Sequence, residues 1–590
     1  MSPPVTAVGT MAEPCAIAVG DPGLPRPTST TSFWHTPPSS FLHAHRTTPS
    51  LPASAATVIV GSGISGSMLF HHLHAAGLAG STTLMLEARN TCWGATGRNG
   101  GHCKPMLYQS GDFVELCSVF GEAEALKRIT FEQLNFELVR DYVEAEAVAC
   151  EWVCTPSADV YYEAAPFELA KRNIEALQRV APEVAGQLRI VEGRRELRES
   201  LRTPTAVGAV VFTAGKLSPY KLVSHILEKG VRAQSLNLQT TTPATKVSRS
   251  GNGNKWAVET PRGTVLADRV VFATNAHTAH LLPVFQGWIY PVRAQMAALI
   301  PPRSLKDRPL AHSYGLVRHD RKTACYLIQR PVEEDGSGGE LMLGGGREFE
   351  DNHGVGMQDG GINPNVAHGL RTSVAGYFKD ETGYETDDFS DNRELRKSFI
   401  EKFRRLRLGG ARHGVWDAAE WVGAHEDEED LEKRKPAPAR KECRAKMEWS
   451  GTMGFSRDGR PFVGRVPAVG EGDADRLGIE KMEDTRGLWM LAGFEGHGML
   501  HHALLLLLRA TRRLWRLTGL GMAFTTGSAK ALVAMIAADA DGVPEADTRS
   551  LYEWFPQAFE VTPARLGLAE VENWEEVQQH DDWEIVDEEG

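Results

Sequence analysis

Gly61-Ser62-Gly63-Ile64-Ser65-Gly66 has the spacing of a loop that cradles a pyrophosphate. Gly61 permits a tight turn, Gly63 lets the backbone approach the phosphates, and Gly66 lets a helix pack closely on the preceding strand. A helix starting near Ile64 and Ser65 would offer unpaired N–H groups and a positive dipole end to that anion. Glu87 lies 21 residues after Gly66 and, with Ala88 and Arg89, closes the next strand-like run. A carboxylate in that place accepts hydrogen bonds from a pair of ribose hydroxyls. Glycines are common, so the pattern alone is weak; the acid at this spacing gives it weight.

The fingerprint suits NAD and FAD equally. A second glycine-rich loop follows the acid at once: Gly94-Ala95-Thr96-Gly97-Arg98-Asn99-Gly100-Gly101-His102. Such a loop lets backbone run close to an extended ligand and adds N–H donors, and Arg98 could neutralise phosphate charge. An NAD dehydrogenase has no evident use for it there, which favours FAD. Cys150 and Cys154 lie four apart without a second pair of ligands to complete a zinc site. Eight cysteines in 590 residues are too few for a disulfide scaffold, so these two read as buried or free thiols.

The glycines and the acid need a βαβ unit to hold them. Thr57–Val60 reads as a strand, about 65–77 as a helix and Thr83–Leu86 as a second strand. Residues 112–152 and 166–200 carry amphipathic helical periodicity, and strand signals return at 207–213 and 265–273. Residues 286–350 predict an antiparallel sheet, and 351–444 a charged, loop-rich stretch with a solvated loop over His425 to Cys443. The first 53 residues, rich in Pro, Ser and Thr, read as disordered or draped over the surface. They lack the marks of a secretory or mitochondrial leader, and the chain ends Glu588-Glu589-Gly590 without a peroxisomal tripeptide, so the cytoplasm is the expected compartment. No apolar run is long enough to span a bilayer. The net charge of −12 is concentrated in the tail, where Glu570 to Glu589 holds ten acids and no Lys or Arg. That tail, residues 566–590, is expected to fray. The body is then near neutral, which gives no sign of nucleic-acid binding.

The motifs resemble the D-amino-acid-oxidase-like superfamily of FAD-dependent oxidoreductases, and within it the gamma-glutamylputrescine oxidase-like, fungal-type branch. The resemblance is carried by Val58 to Gly66 with Glu87-Ala88-Arg89, Gly94 to His102, Val270 to Ala276, Trp449 to Gly464, and Ala492-Gly493-Phe494-Glu495-Gly496-His497-Gly498-Met499. It implies an α/β chain in which a discontinuous, Rossmann-like FAD-binding domain of the GR2 type (about 54–111, 215–285 and 445–565) is joined to an α+β substrate domain with an antiparallel sheet (about 112–214 and 286–444). It also implies that Val247, Ala273, Thr274 and Asn275 contact FAD, and that Gly493, Glu495, Gly496, His497, Gly498 and Met499 lie by the flavin ring.

The chemistry implied is hydride transfer to flavin N5 from the carbon beside a neutral amine nitrogen of an amine or amino acid, giving an imine that water hydrolyses. An amine that arrives neutral needs no base, and none is assigned. Dioxygen is the expected acceptor, an oxidase rather than a dehydrogenase. Sarcosine-oxidase-like relatives place a Lys after the Gly-His-Gly block, where this chain has Met499-Leu500-His501. No Cys lies between Trp449 and Gly464, so FAD is expected to be non-covalent, with Cys103 as the remaining candidate for attachment. Leu500 to Met522 interrupts the family pattern with a leucine run and Arg509, Arg512, Arg513 and Arg516 at helical spacing. It reads as an intron retained in the gene sequence, otherwise as a basic amphipathic helix or a surface excursion. The rival readings are a flavoprotein remnant impaired by this insert and an NAD-type dehydrogenase.

Overall fold

The computed structural model describes residues 20–78, 83–108, 113–251, 254–318, 324–378, 443–495, 521–540 and 549–568. Five strands run parallel in the spatial order Leu488–Ala492, Gly263–Phe272, Ser54–Val60, Thr83–Leu86, Asn237–Gln239. Phe462–Arg465 adds an antiparallel edge, and the hairpin Lys246–Arg249/Trp256–Thr260 pairs onto Gly263–Phe272. Thr83–Leu86 is buried throughout. Such continuous apolar strands need cover on both faces, and alternate side chains supply it. Ile59, Met85 and Val271 join the helix-side core, whereas Val58, Val60, Leu84 and Leu86 join a core with Trp256, Val258 and Phe285. Helix Ile64–Ala75 covers the first face and packs against helices Pro219–Arg232 and Gly521–Ala540. Gly521–Ala540 is tied in turn to helix Glu122–Ala145, where Asn135 Oδ1 accepts the Gly527 N–H at 2.7 Å. No helix among the described residues is long and apolar enough to cross a membrane.

The second sheet runs Ala445–Ser456, Ile289–Leu299, Leu341–Gly344, Cys325–Gln329, Ser313–Val317, Val153–Tyr161, Gly208–Lys216, His102–Cys103, with Arg189–Val191 beside Gly208–Lys216. The strands between 286 and 350 are antiparallel to one another, as the sequence predicts. Ser313–Val317, however, pairs parallel with Val153–Tyr161, so the sheet is mixed. Ala445–Ser456 and His102–Cys103 join this sheet rather than the parallel one, because Ala445–Ser456 pairs with Ile289–Leu299 over its whole length. Sheet boundaries therefore cut the chain differently from the expected domain limits at 111 and 445.

Two expectations are corrected. Residues 20–53 are not a loose drape: Trp34 and Leu42 are 6% and 0% exposed. Trp34 Nε1 donates to the Asn99 carbonyl at 2.7 Å, and His35 stacks on Trp93 with centroids 3.9 Å apart. The segment docks through single aromatic anchors, which leave no periodicity to read. The stretch after 351 also holds a helix, Pro364–Tyr377, with Asn363 as its cap and Val366, Leu370 and Val374 buried on one face. Trp34→Ala is expected to lower unfolding stability by about 3–5 kcal/mol, read from a denaturant titration. The loop His425 to Cys443 up to Glu442, the insert from Leu500 to Leu520 and the acidic tail from Ala569 lie outside the described residues.

Candidate active site

The first glycine loop is wedged between two strands and a helix. Gly61 has φ +108°, its N–H donates to the Leu86 carbonyl at 2.8 Å, and a Cβ on it would stand 2.5 Å from the Ala273 carbonyl oxygen. A Cβ on Gly66 would stand 2.1 Å from the Gly61 carbonyl oxygen. Gly63 admits Thr96, whose Oγ1 accepts the Ile64 N–H at 3.0 Å. The two glycine loops are thus joined at the helix start. Glu87 is held on one edge: Oε2 accepts from Ser62 N–H (3.1 Å) and Oγ (2.6 Å), and Oε1 from Arg89 N–H (2.9 Å). A carboxylate has about four acceptor sites, so a free one remains for a sugar hydroxyl.

The second loop contains the short 3-10 turn Ala95–Arg98. Gly100 packs against the Tyr326 ring where a Cβ would come within 2.7 Å. Arg98 lines the cavity, but protein groups already occupy its guanidinium. Its guanidinium donates to the carbonyls of Trp93, Thr30 and Ser450 and to Ser29 Oγ, and Nε lies 3.3 Å from Asp359. It fastens the leader and the second sheet to the loop. Burial pushes its pKa down to about 10 despite Asp359. Arg89 forms a two-point pair with the same Asp359 at 3.1 and 3.0 Å, yet its buried Nε has no hydrogen-bond partner among the described residues.

These residues line one cavity of about 1690 Å³, counting solvent at its mouth. Gly61, Gly63, Ile64, Ser65, Glu87, Ala88 and Arg89 form one end; Gly94, Ala95, Thr96, Arg98, Asn99, Gly100 and His102 form a side; Ala273, Thr274 and Asn275 close it. Glu495 also reaches it. Gly66, Gly101 and Gly493 shape the wall without lining it. Val247 is corrected: it pairs with Val258 in the hairpin, and Pro243 and Ala244 line the cavity instead. Asn275, at φ +43°, accepts the N–H groups of Gly493 (3.1 Å) and Phe494 (3.3 Å), and so fixes the start of the last block. Gly496, His497, Gly498 and Met499 lie outside the described residues. Cys103 is buried off the cavity and its thiol is pushed up to about 12 by burial, which does not suit it for flavin attachment.

The sequence reading missed the far end. Leu24 and Pro25 arrive from the leader, and Met296, Tyr326, Thr452 and Met453 from the second sheet. Only Thr452 and Met453 fall within a motif. Lys104 also lines the cavity and is paired with buried Asp159, which Tyr108 supports at 2.9 Å. Gly315 makes room for that pair, since a Cβ there would meet Asp159 Oδ1. His102 stays neutral, its pKa pushed down to about 3 by burial and then by Lys104.

Two buried carboxyls hold their protons. Burial raises Glu132 and Glu495 to about 8 each, against the pull of Arg128. Both are ionised in the unfolded chain from about pH 4.5, so the folded state binds more protons and stability falls as pH rises from there to about 8. Within that window each carboxyl costs about 1.4 kcal/mol per pH unit. Glu132→Gln should flatten this fall and raise the denaturation midpoint most at pH 8 and above. An unchanged pH profile would contradict it.

The donor set fits FAD. A glycine cradle at a helix start, a positioned carboxylate and an unpartnered buried Arg89 Nε suit its pyrophosphate and sugar, and the cavity continues to an apolar end that suits its ring system. The family model described as FAD dependent oxidoreductase (DAO) matches residues 56–505. A search of curated proteins finds no match. Among solved structures, glycine oxidase from Geobacillus kaustophilus aligns with TM-score 0.52 at 14% identity, over 87% of this chain and 99% of that one. Iminodiacetate oxidase from Chelativorans sp. BNC1 gives 0.51 at 13%, over 85% and 98%. L-amino acid deaminase from Proteus myxofaciens gives 0.50 at 14%, over 89% and 96%. At these identities the alignments speak for the fold, whereas the family match covers most of the chain: it belongs to the DAO family of FAD-dependent oxidoreductases.

Proposed function

We propose that this flavoenzyme oxidises the carbon–nitrogen bond of an amine or amino acid, with dioxygen as the electron acceptor. The observation that supports the reading is one cavity lined by residues of both sheets, among them Gly61, Glu87 and Arg89 from the glycine-loop region and Met296, Tyr326, Met453 and Phe494. The names of the glycine oxidase and iminodiacetate oxidase structures point to the same class of substrate.

When bound, FAD supplies the two-electron acceptor. The chain binds and shields. Met296, Met453 and Phe494 offer an apolar surface to the carbon chain of an amine. His102 stays neutral there, and Asp159 answers the charge of Lys104. Neither side chain then adds a net charge opposing an amine. The oxidised substrate is an imine, which water hydrolyses to a carbonyl compound and ammonia or a smaller amine.

With purified full-length protein, aerobic turnover of an amine panel should form one hydrogen peroxide per carbonyl product. Carbonyl product formed only with an artificial acceptor would replace dioxygen in this reading, and no carbonyl product from any amine or amino acid would remove it.

A further inference from the structure

We propose that Glu495 is the residue that takes the proton from the substrate ammonium, through its unpartnered Oε2. The proposal rests on the amine-oxidation reading above and names a catalytic residue for it.

Glu495 is 5% exposed and lines the cavity beside Phe494 and Met453. Its φ of +60° is the left-handed region, which a side chain other than Gly or Asn enters at a cost. The conformation is held from both sides: Asn275 accepts the preceding N–H groups, and Glu495 N–H donates to the Gly454 carbonyl at 2.7 Å. Gly454 can approach because it has no Cβ, which would lie 2.6 Å from Asn275 Oδ1. Ser456 Oγ donates to Oε1 at 3.1 Å, and Oε2 is buried without a hydrogen-bond partner among the described residues. A strained, buried carboxyl with one oxygen satisfied and one oxygen open needs an explanation. An ammonium on an apolar chain is the ligand that satisfies that oxygen and also fits the Met453 and Phe494 surroundings.

The charged groups around it come from several elements. Arg128 of helix Glu122–Ala145 favours its ionised form, and Asp458 after strand Ala445–Ser456 opposes it. Tyr290, Arg347 and Arg565 also feel its charge. Burial dominates, and the carboxyl holds its proton up to about pH 8. A carboxylate with that proton affinity is a far better base than an ordinary one, and it stands near working pH. In the step, a substrate N–H bond breaks and an Oε2–H bond forms. The nitrogen keeps the electron pair, which would assist oxidation of the adjacent carbon, for which bound FAD would supply the two-electron acceptor. The proton on Oε2 passes to solvent after product leaves.

The test mixes the full-length flavin-loaded protein anaerobically with n-butylamine between about pH 6 and about pH 10 and follows loss of visible flavin absorbance. The limiting rate should rise with pH through about 8. Glu495→Gln should slow it at pH 8 by about 10²-fold or more, and move the rise toward the amine's own pKa, about 10. Ser456→Ala removes the hydrogen bond to Oε1 and should move the rise upward while flavin stays bound, so it decides the matter even if Glu495→Gln does not fold. An unshifted pH profile in either variant that binds flavin overturns the proposal. So does a flavin that amino acids reduce but n-butylamine does not, an outcome that leaves the amine-oxidation reading standing. A flavin that no amine or amino acid reduces ends both.

Discussion

Gly66→Ala is expected to give a protein with less than about one tenth of the wild-type flavin per chain, a loss of about 1.4 kcal/mol or more in binding. The new Cβ would lie 2.1 Å from the Gly61 carbonyl oxygen and 3.4 Å from Ile59 Cγ2. The oxygen cannot retreat freely. Gly61 N–H is bonded to Leu86, and the same residue already lies against the Ala273 carbonyl. The helix start must therefore move, taking with it Ser62, which orients Glu87, and Ile64, which Thr96 holds. Both ends of the nucleotide cradle lose register together. The ratio of visible flavin absorbance to protein absorbance reads the effect. Gly193→Ala, at a helix start with open space around it, should keep its flavin, and an equal loss there would show that any glycine replacement harms this fold.

Asp359→Asn is expected to lower unfolding stability by about 3–5 kcal/mol, the cost of leaving a buried charge unpaired. Asp359 is 1% exposed and answers two guanidiniums, Arg89 at 3.1 and 3.0 Å and Arg98 at 3.3 Å. Its own backbone carbonyl accepts the Thr30 N–H, so it also pins the leader. An amide of nearly the same shape keeps the packing and removes only the charge. Denaturant midpoints would show the drop. The exposed pair Lys255–Asp268 supplies the contrast: Asp268→Asn should leave the midpoint where it was, because solvent screens such pairs.

What the sequence makes legible follows from where the physics is local. The turn at Gly61–Gly66, the helix that follows it and the strand Thr83–Leu86 stand where the sequence puts them, because they are fixed by residues close in sequence. Asn275 and the start of the Gly493 block are legible only through family resemblance, since Asn275 Oδ1 reaches Gly493 and Phe494 across 218 and 219 residues. The leader was misread because its anchors are isolated: Trp34 meets Asn99, and Thr30 meets Arg98. Val153–Tyr161 was hidden by Pro156 and by Asp159, an acid inside a buried strand that makes sense only once Lys104 is opposite it. For Arg98 the sequence shows the cation and not the carbonyls and the carboxylate of Asp359 that surround it.

The central claim is that an FAD in this cavity takes electrons from an amine. The most direct measurement is the absorbance spectrum of the purified full-length chain under anaerobic conditions, before and after addition of a panel of amines and amino acids, and again after denaturation and removal of the protein. The account predicts a flavin spectrum that bleaches with at least one of them and a cofactor that stays in solution once the protein is removed. A flavin spectrum that none of them changes would contradict it.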